Sequence, residues 1–236
     1  MGTTPADVLA ALLRSDPGRP RVTFYEDTPG PTCGERIELS AKVLANWVSK
    51  AANALQEEWD LAPGSRVRLA LPPHWRSLYW ALAVWSVGAT VVLDDGEADL
   101  VVTDDVTRAA PAPTPSVLVT LAALARGAQG SVSAGVMDEA KELATYADQF
   151  SPWEEPAPSD VAVSGAGADT AYESVVPQRD WAAGSRVHTA AGELAEVLAV
   201  ALAAWSVDGS LVLSRGPEPE GGRAARLTSE GVTVEE

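Results

Sequence analysis

The stretch LAVWSVGATVVL, from Leu82 to Leu93, is nearly repeated as LAAWSVDGSLVL, from Leu202 to Leu213. The similarity extends upstream: when each residue n is aligned with residue n+120, 16 of the 34 positions in 60–93 are identical to those in 180–213. A chain of ordinary composition would give roughly three identities by chance. The spacing therefore predicts an internal duplication of one supersecondary unit.

Each copy has the pattern of a strand, a helix and a second strand. Gly88 and Gly209 are expected to end the two helices, because glycine adopts a positive φ without steric cost. The second strand of each copy is apolar on both faces, which is typical of a parallel sheet covered by helices. Each copy is thus predicted to be a βαβ unit, with strands at 66–71 and 186–190, helices at 75–87 and 193–207, and strands at 90–93 and 210–213.

The remaining segments predict further elements of an α/β fold. The Pro- and acid-rich stretch 151–159 is the predicted boundary between two subdomains, 1–150 and a shorter 151–236. Each subdomain is expected to contain one βαβ repeat in a mostly parallel sheet flanked by helices. The other predicted elements are a helix capped by Thr4, a hairpin of 22–26 and 36–39, a helix from Ser40 to Trp59, strands at 100–103, 117–119 and 232–234, a helix over 137–150, and loops at 110–116 and 215–222.

Composition and charge restrict the partners. The chain has 236 residues, with 17 basic and 33 acidic side chains and a net charge of −16, so nucleic acid and membrane surfaces are not expected as partners. The uncharged run Leu78–Leu93 is shorter than the roughly 20 residues that a spanning helix needs. A single cysteine, Cys33, and the absence of a signal-peptide pattern at the N-terminus predict a cytoplasmic protein.

Several motifs of the first half together resemble one enzyme superfamily. Leu39-Ser40 with its helix, LAPGSRVRLALPPHW (61–75) and ALAVWSVGATVVL (81–93) resemble the first half of the AMP-forming adenylate enzymes, which include acyl-CoA synthetases, luciferases and peptide-synthetase adenylation domains. More closely, the chain is similar to short relatives of the acyl-CoA synthetase N-terminal domain. The resemblance implies two similar α/β subdomains, and it implies ATP or AMP with Mg²⁺ as ligands.

The chain departs from this superfamily in the motifs that carry its chemistry, which are the phosphate loop, a histidine-containing loop and the lid domain. The superfamily's phosphate loop is rich in Ser, Thr and Gly and ends in Pro-Lys-Gly, whereas here Ser164-Gly165-Ala166-Gly167 has neither the Thr pair nor the Lys, and Asp169 follows. Ser164, Gly165 and Gly167 remain weak candidates for backbone contacts to an anion. A Pro-x-x-His-like loop is replaced by HTAAGE, in which His188 comes too early. Because the chain ends at Glu236, the lid domain with its catalytic lysine is expected to be absent.

Carboxylates follow two of the predicted strands. Asp94 and Asp95 come after one strand, and Asp104 and Asp105 come after another, so all four are expected at the carboxyl edge of the sheet, where α/β proteins bind ligands. Four carboxylates could hold Mg²⁺ or Ca²⁺, and the alternative is that they stabilise solvated turns.

His74, His188 and Cys33 are interpreted as structural or incidental, and Glu193 and Glu196 as solvated helix residues. No residue is assigned a catalytic role.

The leading functional hypothesis is a catalytically degenerate acyl-CoA synthetase-like protein that serves as a binding or interaction module. The alternative is an enzyme subunit that binds a nucleotide or acyl ligand and is completed by a partner protein. A third hypothesis is a homo-oligomer whose tryptophan-rich helices form the interface. A cluster of Lys or Arg near 164–172 would favour the enzyme, and the sequence has none there.

Overall fold

The computed structural model describes residues 2–109, 113–217 and 221–236. Parts of the predicted loops 110–116 and 215–222, namely residues 110–112 and 218–220, lie outside the described residues. The helices are α1 (Pro5–Ser15), α2 (Ala41–Trp59), α3 (Trp75–Ser86), α4 (Glu139–Glu142), α5 (Leu194–Ser206) and α6 (Gly222–Ser229). The strands are β1 (Pro20–Glu26), β2 (Arg36–Ser40), β3 (Arg66–Ala70), β4 (Thr90–Val92), β5 (Leu100–Thr103), β6 (Ser116–Leu118), β7 (Val136–Asp138), β8 (Val161–Ser164), β9 (Thr170–Ala171), β10 (Arg186–Thr189), β11 (Ser210–Arg215) and β12 (Val234–Glu235).

The described strands form two sheets. The larger sheet has the order β7-β6-β5-β3-β4-β8-β9, and the smaller has the order β12-β10-β11-β1-β2. Neighbouring strands run parallel except in the hairpin pairs β1–β2 and β8–β9. Helix α3 contacts strands of both sheets and also packs against α1, α2 and α5, so its apolar residues lie in the centre of the core. The predicted α/β class with mostly parallel sheets flanked by helices is confirmed.

Both repeats form the predicted βαβ unit, and the correspondence between the sheets extends beyond the repeats. In the larger sheet β3 and β4 are parallel neighbours, as β10 and β11 are in the smaller one. Each pair is flanked on one side by a parallel strand, β5 or β12, and on the other by a parallel strand that leads a hairpin, β8 or β1. The order β5-β3-β4-β8-β9 therefore matches β12-β10-β11-β1-β2 in both position and direction.

Matched tryptophans of the two repeats make the same hydrogen bond. The Nε1 atom of Trp85, on α3, donates to the carbonyl of Ala162 in β8 at 2.9 Å. The Nε1 atom of Trp205, on α5, donates to the carbonyl of Arg21 in β1 at 3.0 Å. Both indoles are buried, so each bond satisfies a polar atom that would otherwise be costly to bury. The repeated tryptophan thus anchors each helix to the strand that extends its βαβ unit.

The first repeat helix ends as predicted, whereas the second ends at a different residue. Gly88 has a φ of +80°, as expected, but in the second repeat the left-handed residue is Asp208, with a φ of +56°. The expectation that Gly209 adopts this conformation is wrong, because Asp208 is the residue aligned with Gly88. Gly209 is instead required by close packing: a Cβ there would lie 2.3 Å from the carbonyl oxygen of Ser185.

Asp208 is paired with an arginine from the other end of the chain. The guanidinium of Arg21 is fully buried, and its Nη2 atom lies 2.7 Å from Oδ1 of Asp208. Its Nη1 atom donates to the carbonyls of Asp208 at 2.6 Å and Gly209 at 3.1 Å. The side chain of Arg21 therefore holds the turn that follows α5, and its charge lies near the carboxyl end of the helix, where a cation is favoured.

Sheet membership does not follow the boundary expected after residue 150. Strands β1 and β2, from the N-terminal segment, belong to the smaller sheet with β10 and β11, whereas β8 and β9 belong to the larger one. The predicted helix over 137–150 is wrong over most of its length. Residues Val136–Asp138 form β7, which pairs with β6, and only α4 and a 3-10 turn at Leu143–Thr145 are helical. Strand pairing here overrides local helix propensity.

The C-terminal segment is attached to the smaller sheet by charged contacts. Arg226 of α6 makes a two-pronged contact with Asp27, at 2.6 and 2.9 Å. Glu230 accepts hydrogen bonds from Tyr25, Arg186 and Arg36. Burial opposes ionisation of this carboxyl, but the three donors outweigh it and lower the pKa of Glu230 to about 2.

The uncharged run Leu78–Leu93 forms a buried helix, turn and strand rather than a lipid-facing span. Across the part of the chain that the structure describes, no helix combines the length and apolar character needed to cross a membrane.

Candidate functional site

A cleft of about 700 Å³ lies where several parallel strands of the larger sheet end. One wall is the carboxyl end of β3 with Pro72 and Pro73, and the segments after β4, β5 and β8 also line the cleft. The amino end of α5, from the second repeat, faces them. The cleft therefore lies between the two repeats at the edge predicted for a ligand, because parallel strands direct their carboxyl ends to the same side.

An apolar pocket of about 330 Å³ adjoins this cleft. Leu93, Ala166 and Ala195 line both cavities, so the two are neighbours that share one wall. The pocket is enclosed further by Trp85 of α3, Val163 of β8 and Leu198, Ala199 and Leu202 of α5. Its volume lies at the lower end of the range observed for small-molecule sites.

The glycine loop after β8 is packed against a carboxylate. Gly165, with a φ of +82°, lies so close to Asp94 that a Cβ would be 2.6 Å from the Asp94 Cγ atom. The Oγ atom of Ser164 accepts a hydrogen bond from Nη2 of Arg66 at 3.1 Å. Gly167 has a φ of +108°, with open space around its Cα. The carboxylate of Asp94 against the loop repels a nucleotide phosphate, and the guanidinium of Arg66 is already engaged by Ser164.

The four candidate aspartates do not converge. Asp94 accepts a hydrogen bond from the amide of Gly96 at 2.9 Å, which closes a local turn. Asp95 pairs with Arg108 at 3.1 Å and with Arg68 at 3.6 Å. Within the described ranges, no three or more His, Cys, Asp and Glu side chains are grouped so as to hold a metal ion. The turn interpretation therefore describes Asp94, whereas Asp95 belongs to an ion-pair network.

Asp104 and Asp105 line the cleft with opposite electrostatic behaviour. Partial desolvation raises the pKa of the Asp104 carboxyl. Hydrogen bonds from the hydroxyl of Thr107, at 2.7 Å, and from its amide, at 2.8 Å, lower the pKa of Asp105. Glu193 and Glu196, at the amino end of α5, add two exposed carboxylates to the opposite wall. The cleft entrance therefore carries more acidic than basic groups.

Arg108 is a cleft residue that sequence reasoning missed. Its half-exposed side chain lies in the cleft and contacts Asp95 at 3.1 Å and Asp105 at 4.0 Å. The expectation that no cation lies near the glycine loop took account only of residues close in sequence. The structure corrects it, because the end of β5 brings Arg108 to the same cavity as Gly165. Its charge is already offset by two aspartates.

His74 lies at the amino end of α3, outside the lining of the cleft. Its Nδ1 atom accepts the amide hydrogen of Arg76 at 3.2 Å, and its ring contacts Phe24 with centroids 4.4 Å apart. Burial, reinforced by the charges of Arg76 and Arg215, lowers the pKa of His74 to about 2, so the imidazole is neutral. His188 is also buried, with Nε2 3.1 Å from the hydroxyl of Ser214.

A buried polar cluster behind α3 was not predicted. The Nη1 atom of Arg76 lies 2.8 Å from Oε1 of Glu139, which also accepts a hydrogen bond from Tyr79. The carboxylate of Glu139 is 1% exposed, and burial raises its pKa against the opposing effect of Arg76. The sequence pattern predicts a helix around Glu139 and gives no indication that this side chain is buried. The cluster fastens the segment after β7 to α3.

No protein-family model matches the chain, but one curated relative does. The "TIGR03089 family protein" of Mycobacterium tuberculosis strain H37Rv is 34% identical over 241 residues, which cover 92% of this chain and 93% of the relative. The chain belongs to the TIGR03089 family. This family membership is shown over nearly the whole length of both proteins.

Solved structures show which fold this family has. An acyl-CoA synthetase from Brucella canis aligns over 100% of this chain and 47% of its own, with a TM-score of 0.72 and 14% identity. The N-terminal domain of FACL13 from Mycobacterium tuberculosis aligns over 98% of this chain and 62% of its own, with a TM-score of 0.69 and 15% identity. VinN, solved with L-aspartate, aligns over 99% and 66%, with a TM-score of 0.67 and 18% identity.

The family member described here thus spans about half the length of the Brucella synthetase. At these identities the likeness is one of fold, that of the N-terminal domain of adenylate-forming enzymes.

Proposed function

We propose that this protein is an acyl-CoA synthetase-like binding module that holds a small acyl ligand without activating it. The observation that carries the proposal is the apolar pocket between Trp85, Val163 and Leu202, which adjoins the larger cleft. An apolar ligand that enters it gains roughly 25 cal/mol for each Å² of apolar surface removed from water.

The charges of the cleft support binding of an uncharged acyl group rather than adenylation. Adenylation requires cations to stabilise the negative charge at the reacting phosphorus. Here the Asp94 carboxylate contacts the glycine loop, and the guanidinium of Arg108 is already paired with Asp95 and Asp105. Glu193 and Glu196 add negative charge at the entrance. Phosphates and free carboxylates are repelled by this entrance, whereas esters, thioesters and amides are not.

Calorimetric titration with the thioester hexanoyl-N-acetylcysteamine tests the proposal. The probe carries a short acyl chain and no charge, and we expect one molecule to bind per chain. The substitution Ala199→Phe places a large side chain in the pocket and should abolish this binding. Ala225→Phe, on the exposed surface of α6, is the matched control and should leave it unchanged. Equal binding to all three proteins, or no binding to any, would contradict the proposal.

A second candidate is a nucleotide-binding subunit whose active site is completed by a partner protein. Arg108 is the observation that favours it, since this guanidinium lines the cleft beside the glycine loop. Titration with ATP and Mg²⁺ separates the two candidates. Stoichiometric heat that is lost in Arg108→Ala would support the nucleotide-binding subunit, whereas no heat up to millimolar ATP would support the acyl-binding module.

A further inference from the structure

We infer that the surface around Trp153 is a docking site for an arginine-rich segment of a partner protein. This Trp153 surface consists of the segment 148–155, which lies along helix α2. It lies outside the lining of the cleft and the apolar pocket, so the inference does not depend on the proposed acyl ligand.

The exposure of Trp153 distinguishes it from the other seven tryptophans of the chain. Its side chain is 64% exposed, whereas the four tryptophans on α3 and α5 (Trp75, Trp80, Trp85 and Trp205) are at most 3% exposed and the remaining three are half-buried. The interface of tryptophan-rich helices stays a prediction. An indole left in water is the kind of side chain that contributes most at protein interfaces.

The segment that carries Trp153 is fastened along α2. Two buried amides hold its backbone: Asn53 donates to the carbonyls of Ala147 at 3.1 Å and Gln149 at 2.9 Å, and Gln56 donates to that of Ser151 at 3.3 Å. The Oε1 atom of Gln56 accepts the amide hydrogen of Trp153 at 2.9 Å. Because the backbone is ordered before any partner arrives, binding loses less conformational entropy.

The charge of the surface specifies the partner. Between Lys141 and Arg179 the sequence contains no basic residue and seven acidic ones. Lys50 of α2 reaches this segment and pairs with Asp148 at 2.8 Å, whereas Glu154 and Glu155 directly follow Trp153 and are exposed. A second copy of this chain, with its net charge of −16, would be repelled, as would any other anionic surface. An arginine-rich segment fits both the exposed indole and the negative charge of this surface, because a guanidinium stacks on an indole and pairs with carboxylates.

Binding of a nona-arginine peptide, followed by calorimetry at 150 mM salt, tests the inference. We expect Trp153→Ala to weaken binding about ten-fold, because the stacking contact is lost. Trp153→Phe should recover part of the affinity, since phenylalanine also presents an aromatic face. Glu154→Gln with Glu155→Gln should weaken binding further, and nona-lysine should bind more weakly than nona-arginine.

The matched control removes the same charge elsewhere. Glu193→Gln with Glu196→Gln removes two negative charges at the cleft, so it should leave nona-arginine binding nearly unchanged. Circular dichroism of each variant confirms that an exposed substitution has not altered folding. Binding that is insensitive to Trp153→Ala, or equally sensitive to both glutamate pairs, would show that the peptide recognises only the overall negative charge, and the inference would be overturned.

Discussion

Replacing Asp208 with glycine sets two physical effects against each other. Asp208 has a φ of +56°, a conformation that costs a residue with a side chain about 1 kcal/mol and costs glycine nothing. On backbone preference alone, Asp208→Gly should therefore stabilise the protein, as it would restore the residue found at the matched position, Gly88. The carboxylate, however, lies 2.7 Å from the fully buried guanidinium of Arg21.

The ion pair should outweigh the backbone strain. Removing one partner of a fully buried pair typically costs about 3–5 kcal/mol, because the remaining charge stays buried without compensation. Two features reduce this cost: the side chain of Asp208 is 42% exposed, and Arg21 keeps two carbonyl acceptors. We take the lost pairing as about 2–3 kcal/mol after solvent screening, so Asp208→Gly should lower the free energy of unfolding by about 1–2 kcal/mol.

Urea unfolding, monitored by circular dichroism and by tryptophan fluorescence, measures this change if the two transitions coincide. Asp208→Asn is the control, since asparagine tolerates the left-handed conformation and keeps an acceptor while it loses the charge. Arg21→Met alone and combined with Asp208→Gly completes a cycle in which the coupling should be about 2–3 kcal/mol, because the backbone gain of glycine is the same with and without Arg21 and cancels. If Asp208→Gly is as stable as the wild type, or if the two losses simply add, the argument is refuted.

Three further substitutions test other parts of the fold. The pKa of Glu230 is lowered from 4.5 to about 2, so its contribution to the free energy of unfolding is complete above pH 4.5 and is lost as the pH falls towards 2. Glu230→Gln should therefore flatten the acid side of the plot of stability against pH. An unchanged acid side would argue against a stabilising role of the Glu230 carboxylate. Tyr172→Phe removes a buried donor to the carbonyl of Ala89, at 2.8 Å, and should cost about 1–2 kcal/mol in urea unfolding; no loss would mean that the bond contributes nothing net. Gly165→Ala would force its Cβ against Asp94 at a φ of +82° and should lower the melting temperature by several degrees, whereas a neutral result would mean that the loop relaxes freely.

The sequence alone determined the parts of the fold that depend on local pattern. Apolar runs, helical spacing and glycine turns predicted both βαβ units to within one or two residues at most ends, because these features act between neighbours in the chain. The same local reasoning placed Asp104, Asp105 and Gly165 at the carboxyl ends of strands, where they line the cleft. The resemblance to adenylate-forming enzymes, carried by those motifs, correctly identified the fold.

Only the tertiary structure decided which distant segments come together. It placed β1 beside β11, left Asp208 rather than Gly209 in the left-handed position with Arg21 as its partner, and brought Arg108 to the glycine loop. It also buried Glu139 and left Trp153 in water, although the sequence marks neither residue. The physical reason is that strand pairing, ion pairs and burial depend on contacts between residues that are far apart in the chain, and no local periodicity encodes them.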